Sequence, residues 1–259
     1  MKLTSNLVLA IFLCTSVISA CKKSNDPSEK PIVPIKVLSR IIQVDNDNKA
    51  SFTTFNYDEK KRLRSVSNGT TVDLYQYDGE NLSYTEFWVG SNKTEYSITY
   101  QDGKPIKAVR KMYNTGKLVK EMTMGYIYSS GKQPTEIHTK EADVLRAVNK
   151  FQYSANSNII RDESQTDVLI ITENTYDDKL NRFSNTMLGY TLYGEPYDRI
   201  SPNNVLKRKL IYPDGSYLEV TNTYTYDAEG FPITQVSKAV HSAAGDVGTY
   251  KYTWSVVNI

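Results

Sequence analysis

The chain has 259 residues and carries 31 Lys and Arg against 29 Asp and Glu, a near-neutral balance that excludes a nucleic-acid binder working through clustered positive charge. Twenty residues are Tyr, yet the whole hydrophobic share is only 39%, so aliphatic residues are scarce. Tyr, Thr and Val favour a pleated, half-buried surface, and a mostly helical domain is excluded on the same ground.

Residues 1–20 are set aside first. Lys2 gives a positive start, Leu7 to Leu13 supply an apolar stretch, and Ile18-Ser19-Ala20-Cys21 closes it with small residues, the pattern of an export signal peptide. A membrane-spanning helix needs about 20 apolar residues, and this run is shorter and broken by Thr15 and Ser16. Ile-Ser-Ala-Cys resembles the bacterial lipoprotein signal, which implies cleavage before Cys21 and lipidation of that residue, with the membrane as partner through the anchor. Cys14 falls in the removed stretch, so no thiol is left for a disulfide and the fold must rest on its core. Residues 21–35 are polar and hold Pro27, Pro31 and Pro34, and they read as a flexible tether. Lipoprotein sorting rules, which the resemblance brings in, read Asp after the lipidated Cys as an inner-membrane signal. Lys22 stands there, which implies a lipid-anchored outer-membrane protein facing the periplasm or the surface.

Residues 36–259 form one domain, and from residue 50 the chain repeats itself. Phe55-Asn56-Tyr57, Tyr75-Gln76-Tyr77, Tyr126-Ile127-Tyr128, Phe151-Gln152-Tyr153, Tyr224-Thr225-Tyr226 and Tyr250-Lys251-Tyr252 share an aromatic-x-Tyr unit, while Tyr100 and Tyr176 keep the Tyr alone. Turn formers follow each Tyr. Gly79, Gly103, Gly131, Gly215 and Gly230 are expected at positive φ, and Asp58, Asp78, Asp102, Asp177, Asp214 and Asp227 are expected to bond turn backbones. Pro105, Pro134 and Pro232 mark strand starts. A second set of turns falls between units at Asn68-Gly69, Gly90-Ser91-Asn92, Asn114-Thr115-Gly116 and Ala244-Gly245-Asp246. Residues 140–151 place Val144, Val148 and Phe151 at helical spacing, but the repeat register favours a hairpin at Ala142-Asp143.

Two strands per unit predict a long antiparallel β-meander of about 14–18 strands. The alternation puts the paired aromatics on one face and Asn56, Gln76, Thr99, Gln152, Thr175, Thr225 and Lys251 on the other. A sheet with one aromatic face must cover it, and strict meandering favours one curved sheet, a partial barrel or shell, over a sandwich. The Tyr-Asp-x-x-Gly rhythm resembles the tyrosine-aspartate repeats of Rhs-type shell proteins, and together with the lipoprotein signal the chain is similar to uncharacterised Bacteroidetes-type lipoproteins. The resemblance spans residues 36–259 and implies architecture. It implies neither toxin delivery nor self-cleavage, because the sequence has no aspartyl autoprotease core.

Chemistry is sparse. His138 and His241 are the two imidazoles, far apart in strand-like runs and read as exposed strand residues, and no Gly-x-Ser-x-Gly elbow occurs. Ser129 to Lys132 matches Ser-x-x-Lys on a turn where a helix start is required, and Asp45 to Lys49 departs from a calcium loop at its ligand positions. The expectation is no catalytic residue, no metal, no cofactor and no enzyme. Binding has better candidates. Trp88 lies beside Phe87 at the Gly90 turn, and Phe183 to Val205 breaks the rhythm with Tyr190, Tyr193, Tyr197, Asp198 and Arg199, either as a ligand-binding loop or as a packing plug. These place the protein as a cell-envelope binding module for polysaccharide or a protein partner. A purely structural envelope component is the alternative, and a carboxylate-dependent glycan hydrolase a weaker one.

Overall fold

The computed structural model describes residues 36–181 and 200–258. Sixteen strands follow one another: β1 Lys36–Val44, β2 Ala50–Tyr57, β3 Leu63–Ser67, β4 Thr71–Asp78, β5 Asn81–Val89, β6 Asn92–Gln101, β7 Lys104–Asn114 and β8 Lys117–Ile127. The second half continues with β9 Glu136–Glu141, β10 Val144–Tyr153, β11 Ile159–Gln165, β12 Leu169–Leu180, β13 Asn203–Ile211, β14 Tyr217–Tyr226, β15 Pro232–His241 and β16 Gly245–Asn258. Every strand pairs antiparallel with its sequence neighbours, and β1 pairs with β16, so the meander closes into a barrel. The number and order of strands agree with the repeat arithmetic. Closure goes one step further than a partial shell and removes both sheet edges.

Closure has a local cause that recurs with the sequence repeat. The ladder slips by one residue at Asn56/Tyr57, Gln76/Tyr77, Thr99/Tyr100, Gln152/Tyr153, Thr175/Tyr176 and Thr225/Tyr226. In each case the partner strand holds an extra residue: Arg64, Ser83, Ile106, Ile160, Leu206 and Ile233, respectively. A bulge bends its strand and increases the local twist. Six equivalent bulges along one rim therefore curl the sheet in one sense.

The repeat tyrosines lock that rim. Tyr57 donates its hydroxyl hydrogen to the Leu38 carbonyl at 2.7 Å, Tyr77 to Leu63 at 3.0 Å, Tyr128 to Pro105 at 2.7 Å and Tyr153 to Pro134 at 2.7 Å. Tyr176 does the same to Ile159 at 2.5 Å and Tyr224 to Val205 at 3.0 Å. Each bond runs from one unit to the backbone that opens the strand pair before it. Tyr100 breaks the pattern, and Tyr226 donates to Asp177 in place of a backbone carbonyl; the hydroxyl oxygens of Tyr100 and of Tyr126, the first ring of its unit, are buried and have no hydrogen-bond partner among the described residues.

Around these rings Val66, Tyr75, Leu82, Ile98, Ala108, Tyr126, Ile137, Phe151, Ile159 and Val205 form a buried cluster drawn from ten strands. The intervening Asn56, Gln76, Thr99, Gln152, Thr175, Thr225 and Lys251 are all exposed, as the alternation requires. On the side built by β11 to β15 the inward set turns polar: Asp162, Asn174, Arg208 and Ser237 are buried there. Burial lowers the Arg208 guanidinium to about 10, and Asn174 Oδ1 accepts from its Nε at 3.4 Å.

The turns refine the sequence expectations. Ala142 and Asp143 both take positive φ (47° and 64°) in a two-residue hairpin, so residues 140–151 are strand, turn and strand. Asp58, Asp214 and Asp227 accept turn N–H groups, and Asp177 accepts the Lys179 N–H. Asp102 departs from this role: it sits in the left-handed region itself (φ 51°) beside Gly103, because a two-residue turn of this hand needs positive φ at both positions. Residues 203–205, expected within the irregular insertion, belong to β13.

Two measurements check this core. Tyr153→Phe removes a tie and is expected to cost about 1 kcal/mol in urea unfolding, whereas Tyr126→Phe deletes an orphan hydroxyl and leaves stability equal or higher. Burial raises the Tyr77, Tyr100 and Tyr128 hydroxyls from 10.0 to about 12. Above pH 10 the unfolded chain sheds these protons while the folded chain keeps them, so stability is full below pH 10 and drains as pH rises to about 12. Ultraviolet titration at phenolate wavelengths should show these rings ionising together with loss of the β signal.

Candidate functional site

The outer wall over β5, β6 and β7 carries the densest set of aromatic and charged side chains. Register sets Trp88 opposite Lys93 and Lys93 opposite Tyr113, and one step along it sets Glu86 opposite Glu95 and Glu95 opposite Lys111. Glu86 accepts from Tyr84 Oη at 2.8 Å and from Trp88 Nε1 at 3.0 Å. Glu95 accepts from Lys93 Nζ and from Tyr113 Oη, the latter at 3.1 Å. Lys93 Nζ lies 5.3 Å from the Trp88 ring centre and 4.7 Å from that of Tyr113, so one ammonium serves two rings.

Two carboxylates directly opposite each other repel, and the site is built to offset this. Partial burial works to raise the Glu95 carboxyl, but hydrogen bonds from Lys93, Tyr84 and Tyr113 outweigh it and hold the group below the usual range. The bond to Glu95 in turn holds the Lys93 ammonium above its ordinary value, against a smaller desolvation effect. Burial, and then the bonds to Glu86 and Glu95, push the Tyr84 hydroxyl up. The result is a pre-set surface of flat rings with fixed acceptors between them. Trp88 keeps 37% of its surface exposed, enough to stack on a flat ligand.

Charge continues around the outside of the barrel. Lys111 pairs with Glu121 at 3.8 Å, Arg161 with Glu163 at 2.9 Å and Glu173 at 2.6 Å, and Lys207 with Glu219 at 2.7 Å. All these residues lie within strands. A Lys or Arg facing lipid at mid-bilayer costs about 2–4 kcal/mol, and Lys111, Arg161 and Lys207 all stand on the outer face of the barrel.

Of the residues singled out in the sequence, Trp88 lies in this site. Cys21, Tyr190, Tyr193, Tyr197, Asp198 and Arg199 lie outside the described residues. The flanks of that insertion are firmly held: Asn181 donates to the Ser201 carbonyl at 3.0 Å, Asn158 and Asn203 exchange bonds at 2.9 and 3.1 Å, and Asp177 accepts from Tyr226 and Asn204. Ile200 and Ser201 are buried. Both histidines are half-buried where exposure was expected. His138 faces out with Nε2 at 2.8 Å from Glu136, and His241 packs on Tyr212 with ring centres 6.2 Å apart.

Tyr84, Glu86, Lys93, Glu95 and Tyr113 escape a motif search. Their signal was present as period-two spacing, Tyr84-x-Glu86-x-Trp88 and Lys93-x-Glu95, which places each trio or pair on one face. Joining the two sets needs the two-residue turn at Gly90-Ser91, which fixes Val89 opposite Asn92.

The fold and wall define a sixteen-stranded antiparallel barrel with a packed aromatic rim and a charged exterior. A porin-like protein from Bacteroides uniformis shares this fold with a TM-score of 0.57 and 12% identity, over 85% of this chain and 96% of that one. A porin-like protein from Bacteroides vulgatus aligns over 85% and 98% with a TM-score of 0.44 and 11% identity. The Photorhabdus luminescens Tc holotoxin pore aligns over 81% of this chain and 10% of that one, with a TM-score of 0.25 and 14% identity. No family model matches the chain, and no curated protein matches it.

The two tryptophans give a direct check. Trp254 is 8% exposed and packs edge-on against Tyr224, whereas Trp88 is on the outer wall. Trp254→Phe should leave a red-shifted emission open to acrylamide quenching. Trp88→Phe should leave a blue-shifted, shielded one.

Proposed function

We propose that this barrel is a cell-envelope binding module, held to the outer membrane by a lipid on Cys21 and standing in water beside the bilayer, and that it binds polysaccharide through the outer wall around Trp88. The porin-like description of its fold neighbour supports an envelope setting. The charged exterior supports a barrel that lies off the membrane. The lipoprotein-like Ile18 to Cys21 and the tyrosine-aspartate rhythm support tethering and a shell-type architecture.

The observation that carries the binding reading is the arrangement of Tyr84, Trp88 and Tyr113 around the fixed carboxylates of Glu86 and Glu95. Apolar sugar faces stack on flat rings, and sugar hydroxyls donate to carboxylates. The proposed role is retention of glycan without cleavage. A glycosidase needs one carboxylic acid with a raised pKa, and Glu95 is held the other way.

Trp88→Ala is expected to weaken retention in gels cast with neutral polysaccharides by about tenfold, or about 1.4 kcal/mol, with the melting temperature unchanged. Equal retention of wild type and variant, or none by either, would sink the reading. Cys21→Ser should separately abolish incorporation of labelled palmitate and release the protein from membranes, without touching glycan binding.

A further inference from the structure

A second feature of the same wall is a groove of about 300 Å³ on the outer face of β7, β8 and β9. Its floor is Gly125. Register places Gly125 between Lys107 on one side and His138 on the other, with Thr123 opposite Lys140 one step along the strands. Lys107 and Lys140 bring two ammonium groups to the groove, and Ile106 and Ile127, both exposed, give it apolar lips. The carboxylate of Glu136 is occupied by His138 Nε2 at 2.8 Å.

Gly125 has no conformational reason to be glycine. The other described glycines take positive φ, most of them in turns, and Gly125 does not. A Cβ built at Gly125 would meet nothing within 4 Å, so no neighbour requires its absence either. Glycine inside a strand weakens it and often marks a bulge, a bend in a barrel or the close approach of another group, and the ladders of Gly125 to β7 and β9 show no bulge at it. Here the missing side chain is the groove.

We propose that the Gly125 groove is a subsite for the carboxylate-bearing sugar of an acidic polysaccharide: the ring lies on the bare backbone of Gly125 between the Ile106 and Ile127 side chains, and its carboxylate faces Lys107 and Lys140. Neutral units of the same chain continue to the Trp88 wall, three strands away. The inference rests on the glycan-binding reading and names the substrate class.

The test uses the full chain, with polygalacturonate as the acidic probe and a neutral polysaccharide retained by the wild type as reference. Gly125→Val fills the groove, suits a strand and strains nothing, so it should fold at least as well as wild type. It is expected to lower polygalacturonate retention at least tenfold and to leave the neutral reference unchanged. Lys107→Gln with Lys140→Gln should give the same selective loss, and added salt should weaken only the acidic probe. Unaltered polygalacturonate retention by Gly125→Val overturns the subsite, as does a wild type that holds the neutral polymer but not the acidic one. In both cases the Trp88 reading stands. Failure of the wild type to hold either polymer overturns both together.

Discussion

The bond from a tyrosine hydroxyl to a backbone carbonyl of the preceding unit is the constraint on which the molecule depends. A single such bond contributes only about 1 kcal/mol. Its effect lies in repetition along the rim that carries the bulges, where each phenol ties its strand to the opening backbone of an earlier one. Tyr57, Tyr77, Tyr128, Tyr153, Tyr176 and Tyr224 thereby convert a short sequence rhythm into a recurring tie along one rim. Among the described residues there is no cysteine, so no disulfide adds to these ties.

The inward side chains of the buried cluster are committed to packing, so the proposed recognition surface lies on the exterior. Core tyrosines are committed to curvature and packing, and Arg208 and Asp162 are buried among polar inward residues on the other half of the barrel. The outer wall is different: its side chains are held by one another and still meet solvent. Tyr84, Glu86, Trp88, Lys93, Glu95 and Tyr113 form such a set, with every carboxylate engaged and every ring fixed at an edge or a face. Rings held in place before a ligand arrives lose little freedom when it binds, which favours recognition by stacking.

Much of this fold could be read in the sequence because period-two alternation and turn residues are local signals. Aromatic-x-Tyr units place the inward face, and pairs such as Thr115-Gly116 place the turns. What escaped are features that need two strands at once. The bulge at Ile106 exists only relative to Tyr100 and Thr99 across the ladder, so counting along one strand sets Ile106 inward where the structure turns it out. Lys93 reads as one more solvated cation until the register puts it between Trp88 and Tyr113. Asp102 resembles its counterparts Asp58 and Asp227 in sequence and differs because its turn is shorter: two residues separate β6 from β7, against five between β2 and β3. Arg208 and Lys207 are adjacent cations, and only the pairing of Asn174 with Arg208 decides which enters the core.

The seam between β1 and β16 joins the two extremes of the described chain, Lys36 to Asn258. Ring closure must therefore wait for the final strand, however early the other hairpins form. Until then two raw borders, one on each terminal strand, remain open to any extended peptide nearby. A chain cut short before residue 245 would keep both, and would be expected to self-associate long before it lost its hairpins.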